Sequence, residues 1–104
     1  MSISSQETDV IIIAGHLKVA AAQRQAFVDA HADLVAQARR FPGCLDLAIT
    51  ADSVDATRIN NMELWRSEAD LEAWRKVCKP PKIDVRIESD SVRKHHISHS
   101  GPPF

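Results

Sequence analysis

An amide, a carboxylate and an indole occupy alternate positions in residues 57–65, which read TRINNMELW. Apolar and polar residues alternate along this segment, a pattern that predicts a β-strand. Because successive strand side chains point to opposite faces, we expect Asn61, Glu63 and Trp65 to share one face. An amide can stabilise an oxyanion, a carboxylate can accept a proton, and an indole can wall an apolar cavity. Burying such polar groups without partners is costly, so either the protein satisfies them or they line a cavity that needs them.

Each of these three residues also has a structural interpretation. Asn61 could be an amide that is hydrogen-bonded across a hairpin or to a helix end. Trp65 could simply fill the core, since an indole buries a large area. Glu63 could pair with an arginine or a backbone amide, or it could act as a general base. The sequence leaves these alternatives open.

Two histidines are further candidates, because imidazole ordinarily titrates near neutral pH. His31 lies at the edge of the apolar stripe of a long predicted helix, and it is our first candidate for the base that removes a substrate proton. His16, in the first predicted strand, is the second. Either histidine could instead be hydrogen-bonded within the fold.

The sequence predicts no metal centre. His95, His96 and His99 lie close together, but neighbouring strand residues point to opposite faces and cannot chelate one ion easily. Cys44 and Cys78 lie far apart and form no CxxC motif. We therefore expect two reduced thiols in a cytoplasmic protein.

Length and charge limit the classes of function. The 104 residues predict a single domain, placed at residues 10–98, with a flexible N-terminal tail over residues 1–9 and a C-terminal tail over residues 99–104. The formal net charge of −1 gives no indication of a nucleic-acid or anionic-membrane partner. No apolar stretch approaches the roughly 18 residues of a membrane span.

Periodicity predicts six elements in the order strand, helix, strand, strand, helix, strand. They cover residues 10–17, 19–41, 44–51, 57–66, a helix capped by Ser67 and ended by Pro80, and residues 91–98. Residues 82–90 could be a strand, a covering loop or a short helical turn. Two crossovers around a central hairpin give an α+β, ferredoxin-like βαββαβ fold with an antiparallel sheet, in which the first and third strands are central.

The first strand, VIIIAGHL, is almost wholly apolar, which is typical of a strand buried on both faces. The helices of so short a chain can cover only one face of the sheet. The other face then requires a second copy of the protein, so we expect a homodimer packed through the sheet.

With these elements in place, FPGCLDLAITAD at residues 41–52 and RINNMELWRSEADLEAW at residues 58–74 resemble the antibiotic biosynthesis monooxygenase (ABM) family of dimeric α+β barrel proteins. The segment DSVRKHHIS at residues 90–98 is similar to the last strand of that family. The resemblance spans roughly residues 10–98. It implies the fold and the dimer more specifically than it implies any one chemistry.

Anthrone oxygenases of this family work without metal or flavin and use an Asn and a Trp four residues apart on the third strand. Asn61 and Trp65 match that spacing. The resemblance implies a monooxygenase without a cofactor that acts on a quinol, polyphenol or polyketide-like aromatic. Asn61, Trp65 and His31 would be catalytic. The residues expected to contact substrate are Glu63, Trp74, Phe27 and His16.

Two other functions belong to the same fold. One is a non-catalytic module that binds a small ligand or takes part in a stress response. The other is haem binding or degradation, for which the resemblance requires a histidine in the second helix region and an asparagine late in the first strand. No histidine occurs in residues 67–81, where Trp74 stands instead, and the first strand carries Gly15 and His16.

Overall fold

The computed structural model describes residues 9–104, so the predicted tail over residues 1–9 lies, apart from its last residue, outside the described part. An antiparallel sheet and its helices confirm the α+β, ferredoxin-like fold. The elements are β1 (Val10–Lys18), α1 (Ala21–Ala30), α2 (Ala32–Arg39), β2 (Cys44–Ala51), β3 (Arg58–Trp65), α3 (Glu68–Val77), β4 (Ser89–Asp90) and β5 (Arg93–Ile97). None of the helices in this part of the chain is long and apolar enough to cross a membrane.

The sheet has the strand order β2-β3-β1-β4, with β5 also pairing with β1. As predicted, β1 and β3 are the central strands. Their antiparallel register places Gly15 opposite Asn61 and His16 opposite Asn60. Residues directly opposite each other share a face, so Gly15 and Asn61 lie on one face while His16 and Asn60 lie on the other.

The two faces of the sheet differ in burial. All strand residues that are fully buried lie on the face towards the helices, here called the inner face: Ile11, Ile13, Leu47, Ile59 and Trp65. On the outer face, the apolar residues of the central strands are only half-buried: Val10, Ile12, Ala14, Met62 and Leu64. The helices therefore cover one face, and the outer face keeps an apolar strip.

The core on the inner face is divided into two clusters. The Trp cluster contains Ile11, Ile13, Ala38, Leu47, Trp65, Leu71 and Trp74. The Phe cluster contains Val19, Phe27 and Ile59. Ile49 packs against both clusters.

The prediction of one unbroken helix over residues 19–41 is wrong in detail. Val19 precedes the helix as a buried core residue, and the helix is divided at His31. The His31 ring Nδ1 lies 2.7 Å from the Phe27 carbonyl oxygen, which the backbone N–H of residue 31 would bond in a regular α-helix. That N–H instead donates to the Val28 carbonyl at 3.1 Å, a tighter 3₁₀-type turn. Competition from the imidazole thus accounts for the break.

In the C-terminal region the structure decides between the alternatives left open for residues 82–90 and divides the predicted last strand. Residues 82–88 form a covering loop, in which Val85 packs against the Phe cluster, and the last strand is divided into β4 and β5. Ser67 caps α3 as predicted, because its Oγ accepts a hydrogen bond from the Asp70 backbone N–H at 3.2 Å.

Candidate functional site

Two polar residues of β3 lie between the Trp cluster and the Phe cluster of the core. Along the inner face of this strand, Ile59 belongs to the Phe cluster and Trp65 belongs to the Trp cluster. Between them, Asn61 and Glu63 are half-buried. The polar pair therefore lies where the apolar core is interrupted.

The helices pass over the same interruption at His31. Phe27 and Val28 pack with the Phe cluster, whereas Leu34 and Val35 pack against the Trp cluster. Residues 27, 31, 34 and 35 share a helix face by their three- and four-residue spacing. His31, which is half-buried, thus stands between the two packed groups. We use the word cleft for this polar interruption of the core, with Asn61 and Glu63 on the sheet and His31 on the helices.

Glu63 is held by its neighbours on the strand. The Trp65 indole Nε1–H donates to Glu63 Oε1 at 3.0 Å. The Asn61 amide Nδ2 donates to Glu63 Oε2 at 3.4 Å, which is long for a hydrogen bond. Both oxygens therefore accept from protein donors, as the oxygens of an ionised carboxylate do.

Asn61 keeps hydrogen-bonding capacity for a ligand. Its Nδ2 carries two hydrogens, of which Glu63 accepts one. Among residues 9–104, Glu63 is the only side chain or backbone group that bonds the Asn61 amide group. The second N–H and the carbonyl Oδ1 thus have no protein partner among residues 9–104, on a residue that is half-buried.

His31 has one ring nitrogen engaged by the backbone, and its other ring nitrogen has no hydrogen-bond partner among residues 9–104. A carbonyl oxygen only accepts hydrogen bonds, so the contact with the Phe27 carbonyl requires a proton on His31 Nδ1. In a neutral imidazole the other nitrogen, Nε2, then carries a lone pair. Phe27 also stacks on the imidazole, with ring centroids 4.3 Å apart, and this stacking fixes the ring plane. The sequence-predicted pair Phe27 and His31 is therefore in direct contact.

The two tryptophans fill space rather than line an open wall. Trp65 is 0% exposed and Trp74 is 6% exposed. Their rings stack at 6.2 Å, and Phe41 meets both of them edge-on. Trp65 contacts the cleft by its hydrogen bond to Glu63, and Trp74 stacks on Trp65 within the core.

His16 is not brought together with the other predicted site residues. Its register places it on the outer face, opposite Asn60. Its ring Nδ1 lies 3.1 Å from the Ser91 hydroxyl oxygen, and the Ser91 backbone N–H donates to the His16 carbonyl at 2.9 Å. The structure thus gives His16 a contact with the segment that joins β4 to β5.

Gly15 is a feature of the cleft that the sequence analysis missed. It lies opposite Asn61 on the inner face, with a φ of +151°. A Cβ atom at this position would lie 2.6 Å from the Val92 Cα and 2.7 Å from the Ser91 carbonyl oxygen. Residues 91–92 therefore lie against Gly15, on the side of β1 that faces β4 and β5. A glycine inside a strand is the signal of such a close approach.

The remaining nucleophilic and ligating residues stay outside the cleft. Burial raises the pKa of the Cys44 thiol, and the charge of Glu63 raises it further, so the thiol stays protonated at neutral pH. His95 and His96 pair with Ile12 and Ile11, on opposite faces of the sheet. No group of three or more His, Cys, Asp or Glu side chains within residues 9–104 could hold a metal ion.

Comparison with known proteins places these features in a family context. The model of the antibiotic biosynthesis monooxygenase family matches residues 10–77. No match was found among curated proteins. Among solved structures, a conserved protein of unknown function from Bacteroides thetaiotaomicron superposes with a TM-score of 0.67 at 14% identity, covering 86% of this chain and 99% of its own.

Two further structures share the fold at low sequence identity. A candidate antibiotic biosynthesis monooxygenase from Chloroflexus aurantiacus has a TM-score of 0.65 at 20% identity, covering 89% of this chain and 97% of its own. The haem degrader MhuD from Mycobacterium tuberculosis, with two haems in its active site, has a TM-score of 0.62 at 15% identity. The superposition covers 89% of this chain and 99% of the MhuD chain. At these identities the likeness establishes the fold alone.

Proposed function

The chain belongs to the antibiotic biosynthesis monooxygenase family, and from this premise we propose that it is a monooxygenase that acts without metal or flavin on a quinol, polyphenol or polyketide-like aromatic. The observation that supports this proposal most is the arrangement of His31, whose Nδ1 is engaged by the Phe27 carbonyl while Nε2 has no hydrogen-bond partner among residues 9–104. A cleft with a free base and a free amide has the two groups that the chemistry needs.

The proposed reaction begins with proton transfer from a substrate hydroxyl to His31 Nε2. The second N–H of Asn61 then donates to the resulting phenolate or enolate oxygen and stabilises its charge. Such an anion passes one electron to dioxygen, and the substrate radical and superoxide combine to form a C–O bond. The peroxide takes the proton held by His31 and then loses water, with the hydrogen of the same carbon, to leave a carbonyl, so that one oxygen atom enters the product and the other leaves as water. The apolar residues on both sides of the cleft exclude water and strengthen the hydrogen bond from Asn61.

Haem chemistry is not supported by the residues of this chain. The helix that would supply an axial histidine is α3 (Glu68–Val77), which contains none. Trp74 stands there instead, 6% exposed and packed against Trp65 and Phe41. The helix therefore offers no axial histidine for iron on this side.

The main alternative is a module of the same fold that binds a small ligand without converting it. The contacts of Glu63 favour this alternative in part, because both of its carboxylate oxygens are engaged by protein donors. His31 separates the two functions, since a binding module does not require a free imidazole nitrogen.

We also propose that the protein is a homodimer packed through the outer face of the sheet. The half-buried apolar strip on β1 and β3 supports this proposal: Val10, Ile12, Ala14, Met62 and Leu64. Covering such a strip removes apolar surface from water and stabilises the assembly. A partner at this face would leave the cleft, on the inner face, open to substrate.

The proposal is tested by dioxygen consumption with a panel of quinols and anthrone-like phenols, using metal-stripped protein. We expect uptake by the wild type and a loss of about 100-fold or more in His31→Gln, because the amide cannot accept the proton. His99→Gln, at an exposed position of the C-terminal tail, is the matched control and should keep full activity. Absence of uptake by folded wild-type protein across the panel would favour the binding module.

A further inference from the structure

The orientation of the Asn61 amide is set by its neighbour on the strand. Glu63 Oε2 lies 3.4 Å from Asn61 Nδ2. A carboxylate only accepts, so the amide must turn its NH₂ group towards Glu63. The reversed amide would place Oδ1 against Oε2, two oxygen acceptors that repel each other. Even a long hydrogen bond therefore selects one of the two amide orientations.

Glu63 is itself fixed by Trp65. The indole is 0% exposed, and its N–H is a donor that must find a partner inside the protein. That partner is Glu63 Oε1, at 3.0 Å. Stacking on Trp74 holds the indole in place, so the carboxylate cannot rotate away without leaving a buried N–H unpaired. Trp65 thus fixes the position of the Glu63 carboxylate, and Glu63 in turn fixes the orientation of the Asn61 amide.

The hydrogen-bonding groups that Asn61 can offer a ligand are then fixed as well. With NH₂ turned to Glu63, Asn61 offers the cleft its carbonyl Oδ1 beside its second N–H, an acceptor next to a donor. A ligand that satisfies both needs two neighbouring oxygens, one of them a hydroxyl. An aromatic with only ketone or ether oxygens leaves Oδ1 without a donor.

We infer that Glu63, held by Trp65, is a positioning residue that fixes the Asn61 amide, and that the cleft consequently selects aromatics with adjacent oxygens of which at least one is a hydroxyl. This inference rests on the proposed function and narrows its substrate class. One hydroxyl donates to Asn61 Oδ1. The neighbouring oxygen receives the Asn61 N–H, and where it is also a hydroxyl it is the one that gives its proton to His31.

Replacing Glu63 with glutamine tests this inference, because glutamine has the same shape as glutamate but replaces one acceptor oxygen with a donor NH₂ group. The glutamine Oε1 must still accept from the Trp65 indole, so its NH₂ group faces Asn61. The Asn61 amide then turns Oδ1 to this new donor and presents its NH₂ to the cleft. The variant should therefore prefer ligands whose oxygens only accept hydrogen bonds, such as ethers.

The experiment measures the binding of 2,3-dihydroxynaphthalene and 2,3-dimethoxynaphthalene under anaerobic conditions by titration calorimetry. We expect the wild type to bind the dihydroxy probe about tenfold more tightly, the effect of one satisfied hydrogen bond at a half-exposed site, and Glu63→Gln to lose or reverse that ratio. Glu72→Gln, on the exposed side of α3, is the matched control and should keep the wild-type ratio.

The outcomes separate this inference from the proposed function. The inference is wrong if Glu63→Gln keeps the wild-type ratio of affinities for the two probes, or if the wild type shows no preference between them. The proposed function still stands in either case if the wild type consumes dioxygen. If the wild type binds neither probe and consumes no dioxygen, both the inference and the proposed function are wrong. A reversed ratio with normal unfolding of the variant supports the positioning role, since a merely structural residue would not exchange ligand preference.

Discussion

The indole N–H of Trp65 and the carboxylate of Glu63 meet at 3.0 Å, joining a fully buried ring to a half-buried charge at the edge of the core. The contact links packing to chemistry, because the same carboxylate touches the Asn61 amide on its other side. One face of β3 thus contributes Ile59 and Trp65 to the core, with Asn61 and Glu63 between them at the cleft.

Trp65→Phe should lower the free energy of unfolding by about 2 kcal/mol beyond its packing loss, since it removes a hydrogen bond to a charged group. The same substitution in a Glu63→Ala background should lose less, giving a coupling energy of about 1–2 kcal/mol in a double-mutant cycle from chemical denaturation. Trp74→Phe, which removes no bond to Glu63, is the control and should be additive with Glu63→Ala. Additivity for Trp65 as well would contradict the contact.

Gly15→Ala should destabilise the protein by on the order of 2 kcal/mol, because alanine disfavours the positive φ and its Cβ would collide with the Val92 backbone. Chemical denaturation checks this value. Gly101→Ala is the matched control, since the nearest atom to a Cβ there lies at an ordinary 3.6 Å. Equal stability of the two variants would show that residues 91–92 do not pack closely against Gly15.

The Asp52 carboxylate should make the protein sensitive to acid. The Asp55 backbone N–H lowers the pKa of Asp52 most, followed by the Asn60 amide, from 3.8 to about 2. Because the folded pKa is depressed, this contribution to stability is present above the ordinary value and is lost as the pH falls from 3.8 towards about 2. Asp52→Asn should therefore lose less stability than the wild type over that interval, as measured by denaturant unfolding at each pH. Parallel curves for the two proteins would contradict this assignment.

The proposed dimer should depend on the outer face of β1. Ile12→Lys places a charge in the middle of the apolar strip and should shift the protein towards monomer in sedimentation velocity. Thr50→Lys, on the same face but at an exposed position of β2, should leave the assembly unchanged. A wild type that stays monomeric at all accessible concentrations would exclude this interface.

Much of this arrangement follows from local pattern. The alternation of residues 57–65 places Asn61, Glu63 and Trp65 on one face, and the structure has them there in contact. The helix break at His31 was not predicted, because helical periodicity does not reveal that an imidazole will bond the carbonyl of Phe27. Competition between a side chain and the backbone is decided by the neighbouring fold.

Long-range contacts were the other limit of the sequence analysis. The approach of residues 91–92 to Gly15 joins segments that are far apart in the chain, and only the strand register brings them together. The placement of His16 illustrates the same point. Its neighbours in sequence are apolar strand residues, yet the side of the sheet it occupies depends on its pairing with Asn60.

Two adjacent asparagines on opposite faces of β3 allow a direct test of the catalytic role proposed for Asn61. Dioxygen uptake by metal-stripped protein with the best substrate of the panel should fall on the order of 100-fold in Asn61→Ala, because the oxyanion donor is lost. Asn60→Ala, which removes the amide that bonds Asp52 on the outer face, should keep uptake near the wild-type rate. Equal uptake in both variants would contradict a catalytic cleft at Asn61.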